Sequence, residues 1–134
     1  MNCYLYVNSS KLSINHIAAV NEYAKRLSPY CLVRIIAEKN ITLPKDIYKP
    51  DHRLLIVRKG KSTHSSTELA DYINKLQING ISSLHIAFGI NEYFETSDII
   101  AITPSDLSTD TVVLLFMEQL YRSYTIITGK TYHK

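Results

Sequence analysis

Short apolar runs that alternate with stretches of helical period decide the fold class of this chain. Cys3–Val7, Leu32–Ala37, Leu54–Val57, Leu84–Phe88 and Ile99–Thr103 are rich in β-branched and aromatic residues and read as strands. Ser13 can cap a helix over Ile14–Leu27, with Ile14, Ile17, Ala24 and Leu27 on one face, and Ser28-Pro29 ends it. Ser65 and Glu68 form a capping box for a second helix to about Asn79, with Leu69, Ile73 and Leu76 inside and Gly80 after it. A third helix runs from about Asp110 to Ile127, and Gly129 ends it. Glu38–Asp51, with Pro44 and Pro50, reads as loop. Strand–helix alternation of this kind predicts an α/β domain with a mostly parallel five-stranded sheet and helices on both faces. Parallel sheets bind ligands at the carboxyl ends of their strands, which directs attention to Arg58–His64, Gly89–Phe94 and Pro104–Asp110.

At 134 residues the chain is expected to be one domain, 1–134, with its own core. No apolar run approaches the roughly 20 residues that span a bilayer, and the start lacks the basic and apolar regions of a signal peptide. Cys3 and Cys31 lie in or beside strand-like runs, so reduced core thiols in a cytoplasmic protein are the expectation. A net charge of +3 is compatible with a nucleic-acid partner without requiring one. His16, His52, His64, His85 and His133 show no metal-ligand spacing, so no metal is expected. The chain has neither a Gly-x-Ser-x-Gly elbow nor a Gly-x-x-x-x-Gly-Lys loop. A receiver domain would want acids after strands one and three, where this chain has Asn8-Ser9 and Arg58-Lys59.

Two end segments are more specific. Val112–Met117 is apolar on every side of its helix, so it must be buried in the core or against a partner. It leads through Glu118-Gln119-Leu120-Tyr121-Arg122 to the terminal Tyr132-His133-Lys134. Near the start, Glu22-Tyr23-Ala24-Lys25-Arg26-Leu27-Ser28-Pro29-Tyr30 closes the first helix. With the order of elements between them, these segments resemble the ribosomal RNA large-subunit methyltransferase H family, the small single-domain branch of the SPOUT methyltransferases. The resemblance implies a C-terminal trefoil knot, which no local pattern reveals. It implies a cytoplasmic homodimer that uses S-adenosylmethionine to methylate N3 of a pseudouridine in large-subunit (23S) ribosomal RNA, on the ribosome. The family carries a longer insertion with its own helix where this chain has Glu38–Asp51.

Carried over by position, the resemblance implies that Ile56, Gly89, Ile102, Thr103, Pro104, Ser105, Asp106 and Leu107 hold the cofactor. Tyr132, His133 and Lys134 become the catalytic tail, and Arg58, Lys59, Lys61 and Arg122 the RNA contacts. Several positions depart from the family pattern. Its Gly-Gly-x-x-Gly segment falls on Gly89-Ile90-Asn91-Glu92-Tyr93, and its Pro-His pair and following arginine fall on Ser108, Thr109 and Val113. Ile90 resists the close backbone approach that glycine allows, and Pro104 lacks a backbone donor. The expectation is therefore weakened S-adenosylmethionine binding. Three readings stay open: a methyltransferase with a reshaped pocket, a catalytically silent SPOUT-fold dimer that binds RNA, the ribosome or protein, or an enzyme of the same fold that acts on a different RNA because the trimmed Glu38–Asp51 region alters docking. From charge alone, Arg53–Lys61 is an ordinary solvated loop, and Glu118 with Arg122 an ordinary helical ion pair.

Overall fold

The computed structural model describes residues 1–90 and 97–129. Its elements are β1 (Asn2–Asn8), α1 (Ile14–Leu27), β2 (Leu32–Glu38), β3 (His52–Lys59), α2 (Ser66–Ile78), β4 (Ser83–Phe88), β5 (Ser97–Thr103) and α3 (Thr109–Ile127). One sheet holds all five strands in the order β2-β1-β4-β3-β5, and every pairing is parallel. The helix starts follow their caps. Ser13 Oγ accepts the His16 amide, and Ser65 and Glu68 bond each other's backbones reciprocally at 3.2 Å.

Strand alternation sorts the apolar residues into two clusters. Cys3, Leu5, Val7, Leu55, Val57, Leu84, Ile86 and Phe88 face the α-helices. There they meet Val20 and Leu27 of α1, Leu69, Ile73 and Leu76 of α2, and Val113, Phe116, Met117, Leu120 and Tyr124 of α3. Both cysteines belong to this core as free thiols. α3 packs against both α1 and α2, so all three α-helices cover one face. Among the described residues, the opposite face carries only a short 3₁₀ helix, Lys45–Tyr48, whose Ile47 closes over Leu54, Ile56 and Ala87. Helices thus lie on both faces, but very unequally. The 3₁₀ helix falls in the segment read from sequence as loop. Pro44 precedes it at φ −72°, and burial of Ile47 holds it down.

Two packing expectations shift. Ile14 is 85% exposed, whereas Val20 is fully buried. The buried stripe of α1 runs through Val20 and Leu27, and at 3.6 residues per turn Ile14 lies about 120° around the helix from it. The all-apolar stretch of α3 is mostly internal, and only Leu115 within it counts as exposed.

His85 is the polar exception in β4. It is 3% exposed and stacks on Tyr4, Tyr6 and His52. Its Nδ1 lies 2.7 Å from the Tyr6 hydroxyl and its Nε2 lies 2.8 Å from His52 Nδ1. Two proton assignments satisfy the chain with neutral rings: Tyr6 donates to His85 and His85 to His52, or His52 donates to His85 and His85 to Tyr6. Burial, then the neighbouring His52, lowers the His85 pKa from 6.5 to about 4. The folded state therefore favours the neutral ring, and that contribution is complete above the unfolded value. It is lost as pH falls from 6.5 towards about 4, where only the unfolded chain takes up the proton. We expect urea denaturation between pH 7.5 and 4.5 to register this loss, about 2 kcal/mol in all, and His85→Gln to flatten that part of the profile.

Candidate functional site

The carboxyl ends of the strands open into two adjoining clefts. The smaller, about 220 Å³, is walled by Val57, Arg58 and Lys59 of β3, Phe88 at the end of β4 with Gly89 and Ile90 after it, Ser105, Asp106 and Leu107 after β5, and Thr109 and Val112 of α3. The larger, about 680 Å³, shares Phe88, Gly89, Ile90 and Thr109 and extends over Asn8, Lys11, Asn40, Ile41, Thr42 and Leu43. Gly89 stands at φ +70°, a conformation that L residues rarely adopt, and it leaves bare backbone on the wall between the clefts.

Three local devices set this geometry. Phe88, 1% exposed, meets Phe116 of α3 edge-on, with ring centroids 5.5 Å apart, and so fixes the strand end before Gly89. The chain after β3 is fastened to β5: the Gly60 amide donates to the Thr103 carbonyl at 3.1 Å and the His64 amide to the Ala101 carbonyl at 2.7 Å. The Ala101 amide donates in turn to His64 Nδ1 at 3.2 Å. Finally, Lys59 Nζ and Asp106 Oδ1 pair at 2.6 Å between two walls of the small cleft, both side chains largely exposed.

The residues singled out from sequence are distributed unevenly. Gly89, Ser105, Asp106, Leu107, Arg58 and Lys59 line the small cleft. Ile56 does not, because its side chain faces the 3₁₀-helix side of the sheet, and Val57 occupies the wall instead. Ile102 packs on the main core, Thr103 is buried and Pro104 is exposed. Thr103 Oγ1 accepts the Ser105 amide at 3.1 Å, so that donor is engaged within its own loop. Ile90 leans on the cluster of Leu54 and Ile56 as well as bordering both clefts. Lys61 is exposed, and Arg122 pairs with Glu118 one turn away at 3.1 Å. Tyr93, Tyr132, His133 and Lys134 lie outside the described residues. Asn8, Lys11 and Asn40 belong to no motif that marks them in sequence, although Asn8 ends β1 and the carboxyl-end rule applies there equally.

The donor set of the small cleft suits a zwitterionic nucleoside cofactor. Arg58 and Lys59 offer cations to a carboxylate, Asp106 offers an acceptor to an ammonium or ribose, and Leu107, Val112 and Phe88 offer apolar contact to a base. Its volume is below the roughly 300 Å³ at which small-molecule sites begin, so a ligand of that size must also use the opening towards the larger cleft. Among the described residues no group of three His, Cys, Asp or Glu side chains is placed to hold a metal ion. No described helix is long and apolar enough to cross a membrane.

Comparison with known proteins places the chain in a family. The model of the family described as predicted SPOUT methyltransferase matches residues 1–133. Ribosomal RNA large subunit methyltransferase H 1 of Thermoanaerobacter sp. (strain X514) is 33% identical over 135 residues, covering 100% of both chains. The proteins named ribosomal RNA large subunit methyltransferase H of Thermodesulfovibrio yellowstonii and Halothermothrix orenii are 32% and 28% identical. The first match covers 85% of this chain and 86% of the relative, the second 87% and 89%.

A Cβ added at Gly60 would lie 2.9 Å from Ala101 Cβ, closer than packed carbons tolerate. Gly60→Ala should therefore push the loop off β5 and destabilise the protein by about 1–3 kcal/mol. Thermal or urea unfolding checks this, and a variant as stable as the parent would show that the loop is not held there.

Proposed function

Because this chain belongs to the SPOUT methyltransferase family, we propose that it is an S-adenosylmethionine-dependent methyltransferase of large-subunit ribosomal RNA, acting at N3 of a pseudouridine. The observation that carries this reading is the cleft around Gly89, at the strand ends, in a chain that the family model matches almost throughout. When bound, S-adenosylmethionine supplies a methyl group on a positively charged sulfur. The chain's own contributions are binding and positioning. Arg58 binds the carboxylate of the methionine part, Asp106 binds its ammonium or the ribose, and Leu107 and Val112 flank the adenine. The acceptor nitrogen carries a proton that must leave as the new N–C bond forms, and His133 in the tail receives it. Tyr132 and Lys134 orient the RNA, while Lys61 and Arg122 contact its backbone. The C-terminal trefoil knot and a cytoplasmic location belong to the same proposal.

A second reading, a silent relative that only binds RNA or the ribosome, draws on one feature of the cofactor loop. Pro104 has no amide to donate and the Ser105 amide is already engaged, so two backbone donors next to an expected adenine are absent. We expect calorimetry to give S-adenosylmethionine affinity well below that of a site with both donors. We also expect methyl transfer to ribosomal RNA that is lost on deleting Tyr132–Lys134, with the fold intact. No cofactor binding at millimolar concentration, with RNA binding retained, would establish the silent relative.

The assembly is proposed to be a homodimer. Leu115 and Ile126 on α3 are 38% and 44% exposed, and Ile78 at the end of α2 is 74% exposed. Apolar side chains of this size on helices are the material of a self-complementary interface. Sedimentation at micromolar concentration should give twice the mass of the chain, and Leu115→Glu with Ile126→Glu should halve it. A wild-type monomer would refute the assembly.

A further inference from the structure

We infer that the 680 Å³ cleft over Asn8, Lys11, Asn40 and Thr42 receives the target nucleotide, with a uracil-type base seated between the side chains of Asn8 and Asn40. The inference rests on the methyltransferase reading and adds to it the place and the residues of substrate recognition.

Topology points to this crevice independently of any relative. β1 is followed by a crossover to β2, on one side of it, whereas β4 is followed by a connection to β5, towards the opposite edge of the sheet. The neighbouring strands β1 and β4 are therefore the place where the chain's course divides, and ligands of open parallel sheets settle outside the carboxyl ends at such a point. Asn8 ends β1, Phe88 ends β4 and Gly89 follows it, and all three line this cleft.

Proximity points the same way. Methyl donor and acceptor must approach within about 3–3.5 Å before reaction. The two clefts share Gly89, Ile90 and Thr109, so a base in the larger one lies directly across that wall from a cofactor in the smaller. The glycine keeps the wall thin, because the nearest atom to an added Cβ is Thr109 Oγ1 at 3.7 Å and the bare backbone leaves that space open. The volume falls within the roughly 300–1,000 Å³ of small-molecule sites and suits a nucleotide drawn out of an RNA strand.

The lining chemistry selects the class of base. A pseudouridine ring keeps N1–H free beside its C2 carbonyl, and carboxamides can meet that donor and acceptor while N3 stays open to the methyl donor. Asn8 Oδ1 accepts both the amide and the hydroxyl of Ser10, at 2.9 and 2.6 Å, which fixes the plane of its carboxamide and keeps the NH₂ for a carbonyl of the base. Asn40 supplies the second carboxamide and Thr42 a hydroxyl. Ile41, Leu43 and Ile90 provide apolar contact for the ring, and exposed Lys11 at the rim meets the phosphate.

Two measurements test the assignment. In methyl transfer to ribosomal RNA, Asn8→Ala and Asn40→Ala should each raise KM for RNA or lower kcat/KM at least tenfold, with S-adenosylmethionine affinity by calorimetry unchanged. Values within twofold of wild type for both variants would overturn the inference while leaving the methyltransferase reading intact. If the wild type transfers no methyl group, that reading fails by itself, and the cleft is then judged by binding. Pseudouridine 5′-monophosphate at millimolar concentration should shift the side-chain amide resonances of Asn8 and Asn40 in NMR spectra, more than uridine 5′-monophosphate, which lacks the N1–H, does. Shifts centred elsewhere, or none, would overturn the inference whatever the activity.

Discussion

The edge-on contact of Phe88 with Phe116 ties the core to the site. Phe88 is the last residue of β4, Phe116 lies in the buried face of α3, and both rings are almost wholly excluded from solvent. Burying side chains of this size contributes about 1.5–3 kcal/mol each, and the pair geometry adds to that. Gly89 follows Phe88 directly, and the first residue of α3, Thr109, stands opposite it. The wall between the two clefts is thus the outer end of the hydrophobic core. Its position is set by packing that has nothing to do with a ligand, as pre-organisation requires.

Much of the fold was legible because local signals and global topology agree. Ser13 and the Ser65–Glu68 box fall at the observed helix starts, and the five apolar runs became five strands. The signals failed where burial depends on partners distant in sequence. Ile14 fits a helical stripe by spacing, but the stripe that α3 and the sheet select runs through Val20 and Leu27. His85 sits among apolar residues in β4, and only Tyr6 and His52 reveal why a polar ring is tolerated there.

The site was legible at the level of loops and less so at the level of side chains. Positional carry-over selected Ile56, yet strand period two turns Ile56 to one face and Val57 to the other, so a shift of one residue decides which of them meets a ligand. The larger cleft is hidden in the sequence for a different reason. It is assembled from the end of β1, the end of β4 and the segment after β2, whose adjacency follows only from the strand order β2-β1-β4. Relatives place the chemistry in a family, but the junction at Asn8 and Asn40 emerges only once that order is known.

The small cleft has two distinct obstacles to a cofactor, and they differ in weight. Its restricted volume depends partly on the Lys59–Asp106 pair, whose side chains are largely exposed. Exposed pairs of this kind hold by about 0.2–1 kcal/mol, so parting them to admit a ligand costs little. The backbone is less forgiving. The Ser105 amide is satisfied by Thr103 Oγ1, and Thr103 is itself buried with its carbonyl bonded to Gly60. Freeing that amide for a ligand means exchanging one hydrogen bond for another with little net gain, and Pro104 offers no substitute. The balance between enzyme and silent relative therefore turns on backbone donors after β5 more than on the size of the cavity. The side chains proposed for substrate recognition, Asn8 and Asn40, line the larger cleft and not the smaller one, so a test on them is separate from a test of cofactor affinity.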